Sequence, residues 1–301
     1  MENESNKKAI KATLIVNPVS GTGDPEKRRK LLKDITKKLN WSGNYIETTK
    51  KKSAFHIAKT EIEKGIKHIV ICGGDGTIME ALSAIVNKKI TLGIVPLGTG
   101  NLLARNLNLP LNTKEAMYIA FYGNLLEIDI GRANRTYFSL IAGMGIDADI
   151  MKETNSELKD KLDLFAYVAL TLKNLQKRSG IYKITLDHKK PFIVKAKTIL
   201  ASNMGKLMGG IELVPFADPQ NGSLQLGIIK ARSIRSWINI SAHALIGRID
   251  NSPHYEVYNA RKIKIRSLNG PRIYECDGNH FPKTELLSID IYPKSISVMV
   301  K

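Results

Sequence analysis

The stretch Gly73-Gly74-Asp75-Gly76-Thr77 places one carboxylate among three glycines. It follows Ile69-Val70-Ile71-Cys72, a run that reads as a short buried strand. Ile78, Ala81, Leu82, Ile85 and Val86 come next at helical spacing. A strand that ends in glycines and opens a helix suits an anion, because glycine lets backbone approach closely and the first helical N–H groups point outward. Asp75 would repel phosphates there unless it holds Mg²⁺ or takes a proton from a nucleophile. A second loop, Pro18-Val19-Ser20-Gly21-Thr22-Gly23, and a third, Pro96-Leu97-Gly98-Thr99-Gly100-Asn101, have the same character. Neither is a P-loop, since no Gly-Lys-Ser/Thr closes it. Alone, each turn also suits an ordinary strand–helix junction.

Elements of one kind must position these loops. Residues 12–17 read as a strand. Asp24-Pro25 then looks like an N-cap with proline at the first helical position, ahead of the apolar stripe Leu31, Leu32, Ile35 and Leu39. Tyr45 to Thr49 reads as a strand, and Ser53 caps a helix running to Lys64. Thr91 to Val95 is a strand before the third loop, Leu102, Leu103 and Leu107 begin a helix after it, and Thr113 to Tyr122 is another helix. Repeated strand–loop–helix units predict an open parallel sheet, whose ligands sit at the carboxyl ends of the strands. All three glycine loops fall at such ends, so they can converge on one site.

From about residue 125 the pattern becomes alternating: 126–130, 182–186, 193–200, 223–229, 262–266 and 287–291. Short alternating strands with turns predict an antiparallel sandwich or partial barrel. Helical stretches interrupt it at 157–178 and 233–246. The expected organisation is an α/β nucleotide domain, residues 1–131, followed by a β-rich domain, residues 132–301.

The chain has 301 residues, 43% of them hydrophobic, enough for two cores. The polar residues after Met1 lack the apolar stretch of a signal peptide, and no run of about 18 apolar residues could span a bilayer. The two cysteines, Cys72 and Cys276, lie in strand-like stretches, which fits a reducing cytoplasm. The formal charge of +18 points to a polyanionic partner: nucleic acid, nucleotide phosphates or an anionic membrane surface. Aromatic residues are only 6% and do not interleave with the basic runs, and no zinc-finger or helix-turn-helix pattern occurs, so nucleic acid is not expected.

Four segments together resemble the diacylglycerol kinase catalytic-domain family, bacterial lipid kinases related to sphingosine and ceramide kinases. They are Asn17 to Gly21, Gly73 to Thr77, Pro96 to Asn101, and Pro215-Phe216-Ala217 with Asn221-Gly222-Ser223-Leu224. The Gly-Gly-Asp-Gly-Thr segment is shared with NAD kinases; the Pro-Leu-Gly-Thr-Gly-Asn segment favours the lipid branch. The resemblance implies ATP as phosphate donor, Mg²⁺, and a hydroxyl of a diacylglycerol-like lipid as acceptor, with peripheral docking at the inner membrane face. It places Asn17, Gly21, Thr49, Gly73, Gly74, Asp75, Gly76, Thr77, Gly98, Thr99 and Asn101 at the nucleotide.

Two positions depart from the family pattern. Many relatives carry Asp-Gly-Glu near the end, with the glutamate as proposed base, whereas this chain has Asp277-Gly278-Asn279. An amide cannot take the proton, so Asp75 and Asp277 become the expected catalytic carboxylates. Glu275 and Asp277 share a face if the stretch is a strand; the neighbouring His280 reads as a surface residue. Asn221-Gly222 replaces a common Asp-Gly at a structural metal, which leaves Asn221 and Asp75 as expected metal ligands and Asp218 as a substitute. Asp147 or Asp149 would either bind a lipid head group or cap a helix. An inactive nucleotide- or lipid-binding homologue and an NAD kinase are the competing readings. Oligomeric state, a homodimer included, is left open by the sequence.

Overall fold

The computed structural model describes residues 9–22, 24–145, 179–205, 214–231 and 233–301. The helix expected at 157–178, and Asp147 and Asp149, lie outside the described residues. The chain forms two compact units, one of residues 1–128 with 294–301, the other of residues 129–293. The sequence expectation of a single cut after 131 differs at the C terminus: the last eight residues belong with the first unit.

The first unit is an α/β unit built on a parallel sheet. Strands β1 (Ile10–Val16), β2 (Trp41–Glu47), β3 (His68–Gly73) and β4 (Thr91–Pro96) lie in the order β2-β1-β3-β4. The end of β16 (Leu286–Val300) adds a further parallel neighbour, Ser297 opposite Thr91 and Val298 opposite Leu92. Ile69, Val70, Ile71 and Cys72 are all fully buried. That is why β3 is a continuous apolar run rather than an alternating one: side chains on both faces of a parallel sheet meet covering helices. Burying each such isoleucine contributes about 1.5–3 kcal/mol.

The helices start where short polar side chains satisfy free amides. Asp24 accepts from the amide of Glu26 before α1 (Pro25–Thr36), and Ser53 from that of His56 before α2 (Ala54–Glu63). Gly74 precedes α3 (Asp75–Ile85) with no side-chain cap. Next come α4 (Leu102–Asn106), a short helix, and α5 (Thr113–Tyr122), capped by Asn112. Two details differ from the sequence reading. Helix α1 ends at Thr36, so Leu39 falls beyond it, and Leu31 is 48% exposed. Strand β2 ends at Glu47, so Thr49 falls in a tight turn paired with Lys52.

The second unit is an antiparallel sandwich. One sheet runs β12-β11-β10-β7-β14-β15: β12 (Tyr255–Ala260), β11 (Leu224–Ile229), β10 (Thr198–Ser202), β7 (Ile141–Met144), β14 (Arg272–Cys276) and β15 (Asn279–Thr284). The other includes β9 (Phe192–Ala196), β8 (Gly180–Leu186), β13 (Lys262–Ser267) and the first part of β16. Strand β5 (Asn124–Ala133) leads into the unit and pairs with β6 (Thr136–Phe138). Phe138, Tyr182, Ile184, Ile265 and Leu287 pack with Met144, Ile199, Leu226 and Cys276 in one core. The alternating run 193–200 divides at Lys197, because β9 pairs with β8 in one sheet and β10 with β7 and β11 in the other. Helix α6 (Ile234–Leu245) starts in a capping box of Ser233 and Ser236 and packs through Trp237, Ile240 and Ala244 against Ile229 and Tyr255.

Candidate functional site

In the first unit the three glycine loops sit at the ends of β1, β3 and β4 and touch one another. Strands β1, β3 and β4 are neighbours in register, Val16 opposite Cys72 and Gly73 opposite Pro96, so their carboxyl ends are level. The Asn17 amide donates to Thr77 Oγ1 at 2.8 Å, and Ser20 Oγ accepts from the amide of Gly74 at 3.2 Å. A Cβ on Gly98 would lie 2.7 Å from the Cα of Gly74, so these loops meet backbone to backbone. Gly21 has φ +74°, and a Cβ there would stand 1.9 Å from the carbonyl oxygen of Leu97. Only glycine fits that combination of left-handed backbone and close approach.

Asn101 also has a left-handed backbone, φ 49°, and its side chain turns back on Gly98. Its Oδ1 accepts from the Gly98 amide at 2.9 Å and its Nδ2 donates to the Gly98 carbonyl at 2.6 Å. Asn101 therefore cannot cap α4, and Asp75 does so from the neighbouring loop. Asp75 Oδ1 accepts from the amide of Leu103 at 3.3 Å. Burial pushes the Asp75 carboxyl up from the usual range, and the amides of Leu103, Leu102 and Asn101 oppose that shift. The structure thus gives Asp75 a task that its place in the sequence does not reveal: it ties the second loop to the third.

Asn17, Gly21, Gly73, Gly74, Asp75, Thr77, Gly98 and Asn101 are brought together by these contacts. Gly76 and Thr99 lie on the same loops at exposed positions. Thr49 is exposed in its turn, one residue past Thr48, whose amide donates to the Val16 carbonyl at 2.8 Å. Two residues of this site were not singled out from the sequence. Ser20 is one. The other is Arg28, whose guanidinium donates to the carbonyls of Pro18 at 3.1 Å and Thr22 at 2.9 Å and so braces the first loop. Arg28 could have been suspected, since it falls one helical turn after the loop.

The arrangement of the loops suits phosphate oxygens. Backbone approaches where no Cβ fits, and the first-turn amides of α3 lack intrahelical acceptors by position. The donors suit a nucleotide's phosphates; they do not suit a metal held by protein alone. Asp75 is the one carboxylate in the three loops, and its oxygens already accept helix amides. Among the described residues no three His, Cys, Asp or Glu side chains group as metal ligands.

In the second unit Asn221 Oδ1 accepts from both the amide and the hydroxyl of Ser223, at 2.9 and 2.8 Å. Asp129 Oδ2 accepts from the Gly222 amide at 2.6 Å, and Asp218 Oδ1 from the Gln220 amide at 2.9 Å. Asn221 thus serves its own loop rather than presenting a free oxygen to a metal. Asp277 is similarly engaged. It is the first residue of a two-residue hairpin turn, φ 45° with Gly278 at 79°, between paired Cys276 and Asn279. Its Oδ2 accepts from the amide and hydroxyl of Ser139, at 2.7 and 3.1 Å. Its Oδ1 accepts from the amides of Leu140 and Ile141, at 3.0 and 2.9 Å. Burial raises its pKa and these donors favour the carboxylate. With four donors in place, Asp277 fastens the hairpin to β7.

Glu275 differs. It stands opposite His280 and Gly143, on the face of the sheet away from Tyr274 and Phe281, which stack towards the core. Burial, and then the nearby Asp277 charge, push its carboxyl up to about 7. Both ring nitrogens of His280 are buried without a hydrogen-bond partner.

Both units have counterparts among known proteins. Residues 11–133 match the diacylglycerol kinase catalytic domain, and residues 141–300 match the YegS C-terminal NAD kinase beta sandwich-like domain. The chain belongs to the diacylglycerol kinase catalytic-domain family. It is 28% identical over 276 residues to a diacylglycerol kinase of Staphylococcus saprophyticus, covering 90% of this chain and 89% of that one. A diacylglycerol kinase of Bacillus subtilis is 28% identical over 264 residues, 85% of each chain. The fold is shared with a diacylglycerol kinase of Bacillus anthracis, TM-score 0.79 at 22% identity over 98% of both chains. An NAD kinase of Archaeoglobus fulgidus in complex with ATP matches more distantly, TM-score 0.53 at 12% identity, covering 96% of this chain and 93% of that one.

Proposed function

We propose that this protein transfers the terminal phosphoryl group of ATP to a hydroxyl of a diacylglycerol-like lipid. The observation that carries the reading is the mutual contact of the three glycine loops at the start of α3. In phosphoryl transfer the protein mainly positions groups and stabilises charge. Here backbone amides of the second loop and α3 hold phosphate oxygens, Asn17 and Ser20 fix the first loop against the second, and Asp75 holds the third in place. Mg²⁺ would enter with the nucleotide's phosphates and supply charge neutralisation; no residue set of the chain is assigned to it.

The acceptor hydroxyl must lose a proton. Family relatives named as diacylglycerol kinases support a lipid acceptor. The NAD kinase reading keeps the same phosphate cradle with a different acceptor, and its support is the more distant fold match. Incubation of the purified protein with labelled ATP, Mg²⁺ and either dispersed diacylglycerol or NAD separates the readings. Label in the lipid fraction supports the proposal. Label in NADP, or nucleotide binding without transfer to any lipid, refutes it.

A further inference from the structure

We propose that the outer face of the sheet containing β8, β9 and β13 docks on an anionic phospholipid bilayer through Lys183, Lys264 and Arg266. The registers place these side chains together. Ile193, Lys183, Arg266 and Leu286 form one cross-strand row, and Thr185, Lys264 and Ser288 form the next. The opposite face of the same strands carries Tyr182, Ile184, Ile263 and Ile265 into the sandwich core, so the cations face away from it. Lys183, Lys264 and Arg266 line a shallow concavity of about 220 Å³ with Thr185 and Leu286.

Among the described residues no ion pair involves Lys183, Lys195, Lys264 or Arg266, whereas Lys64 and Lys230 are paired with Glu61 and Glu256. Asp290, in register with Lys262 at the next row, lies 3.9 Å from Arg132. Like charges directly opposite on neighbouring strands, as Lys183 and Arg266 are, destabilise a sheet. An anion between them turns that cost into attraction, and a guanidinium beside two ammonium groups suits the oxygens of a phosphodiester.

The apolar residues on the face decide between anionic partners. Ile181, Ile193 and Leu268 are 38%, 65% and 47% exposed, and all are aliphatic. Nucleic-acid surfaces use aromatic side chains for stacking; aliphatic side chains among cations suit the boundary between head groups and acyl chains. A second copy of this face would oppose it with the same charges. The lipid-acceptor reading above contributes only the choice of a bilayer as the surface the protein works on.

Co-sedimentation with vesicles, without nucleotide, tests the proposal. The wild type binds vesicles of phosphatidylcholine with phosphatidylglycerol, and not phosphatidylcholine alone. The variant Lys183→Thr/Lys264→Thr/Arg266→Thr, chosen because threonine suits a strand, loses roughly a hundredfold in partitioning, at about 1 kcal/mol per cation near the surface. Lys264→Thr alone loses about fivefold, a second measurement should the triple variant melt early. A loss below threefold in both overturns the proposal, as does an equal loss in Lys27→Gln/Lys30→Gln/Lys38→Gln, on α1 and just beyond its end. Unchanged vesicle binding with lost retention of an oligonucleotide assigns the face to nucleic acid and also overturns it. Turnover of detergent-dispersed diacylglycerol by the wild type tests the kinase reading separately, so either reading can fail alone.

Discussion

Replacing Glu275 by glutamine should stabilise the protein. The carboxyl moves from 4.5 to about 7 in the folded chain. A raised folded pKa means that the native state binds the proton more tightly than the unfolded state. Stability is therefore full below about pH 4.5 and is lost as pH rises through 7. At 1.36 kcal/mol per pKa unit, the loss is about 1 kcal/mol at pH 5 and about 3 kcal/mol at pH 8. Glutamine keeps the shape and removes the titration, so its advantage over wild type grows by about 2 kcal/mol between those pH values. With a urea slope of about 3 kcal/mol/M, the difference in unfolding midpoints widens by roughly 0.7 M. Urea melts at both pH values, followed by far-ultraviolet circular dichroism, read this directly. A midpoint difference independent of pH would refute the burial argument.

Asp75→Asn should leave the fold intact by circular dichroism while lipid phosphorylation falls at least about a hundredfold, since an amide cannot accept from all the α4 amides that Asp75 now orders. Asp277→Asn should cost roughly 3 kcal/mol in a urea melt, because its NH₂ group would face one of the two donor pairs that the carboxylate now satisfies. Gly98→Ala should raise the Kd for ATP about tenfold or more in a calorimetric titration, as its methyl would stand 2.7 Å from the Cα of Gly74. Gly76→Ala, whose added carbon meets nothing within 4 Å, should keep wild-type thermal stability.

The meeting of the three glycine loops was legible because its signals are local. Each loop announces itself by glycines after an apolar run, and the parallel order of β1, β3 and β4 follows from repeated strand–loop–helix units. What the loops do to one another was not legible. Asp75 reads as a lone carboxylate near phosphates until α4 arrives 28 residues later and donates to it. Asp277 reads as half of a catalytic motif, yet its donors lie 136 to 138 residues earlier in the chain. The hairpin itself carried a signal, since Asp-Gly suits a two-residue turn with both residues at positive φ, and that turn takes Asp277 off the strand. The break at Lys197 is invisible in the alternation of 193–200, because period two says which way side chains point and not which sheet receives them.

The return of residues 294–301 to the first unit bears on how the chain is made. On a ribosome β1 to β4 emerge early, but β4 waits for its outer neighbour until residues 294–301 appear. Until then a parallel sheet of buried, β-branched strands has an open edge, the kind of surface that pairs with other chains. The second unit, by contrast, is continuous from 129 to 293 and can close before residues 294–301 emerge. The sandwich thus behaves as a long insertion between β4 and its partner. A fragment stopping at residue 131 would be a sheet lacking its last strand, and a deletion of only the last eight residues would strip the nucleotide-side sheet of an edge while leaving the sandwich sequence whole.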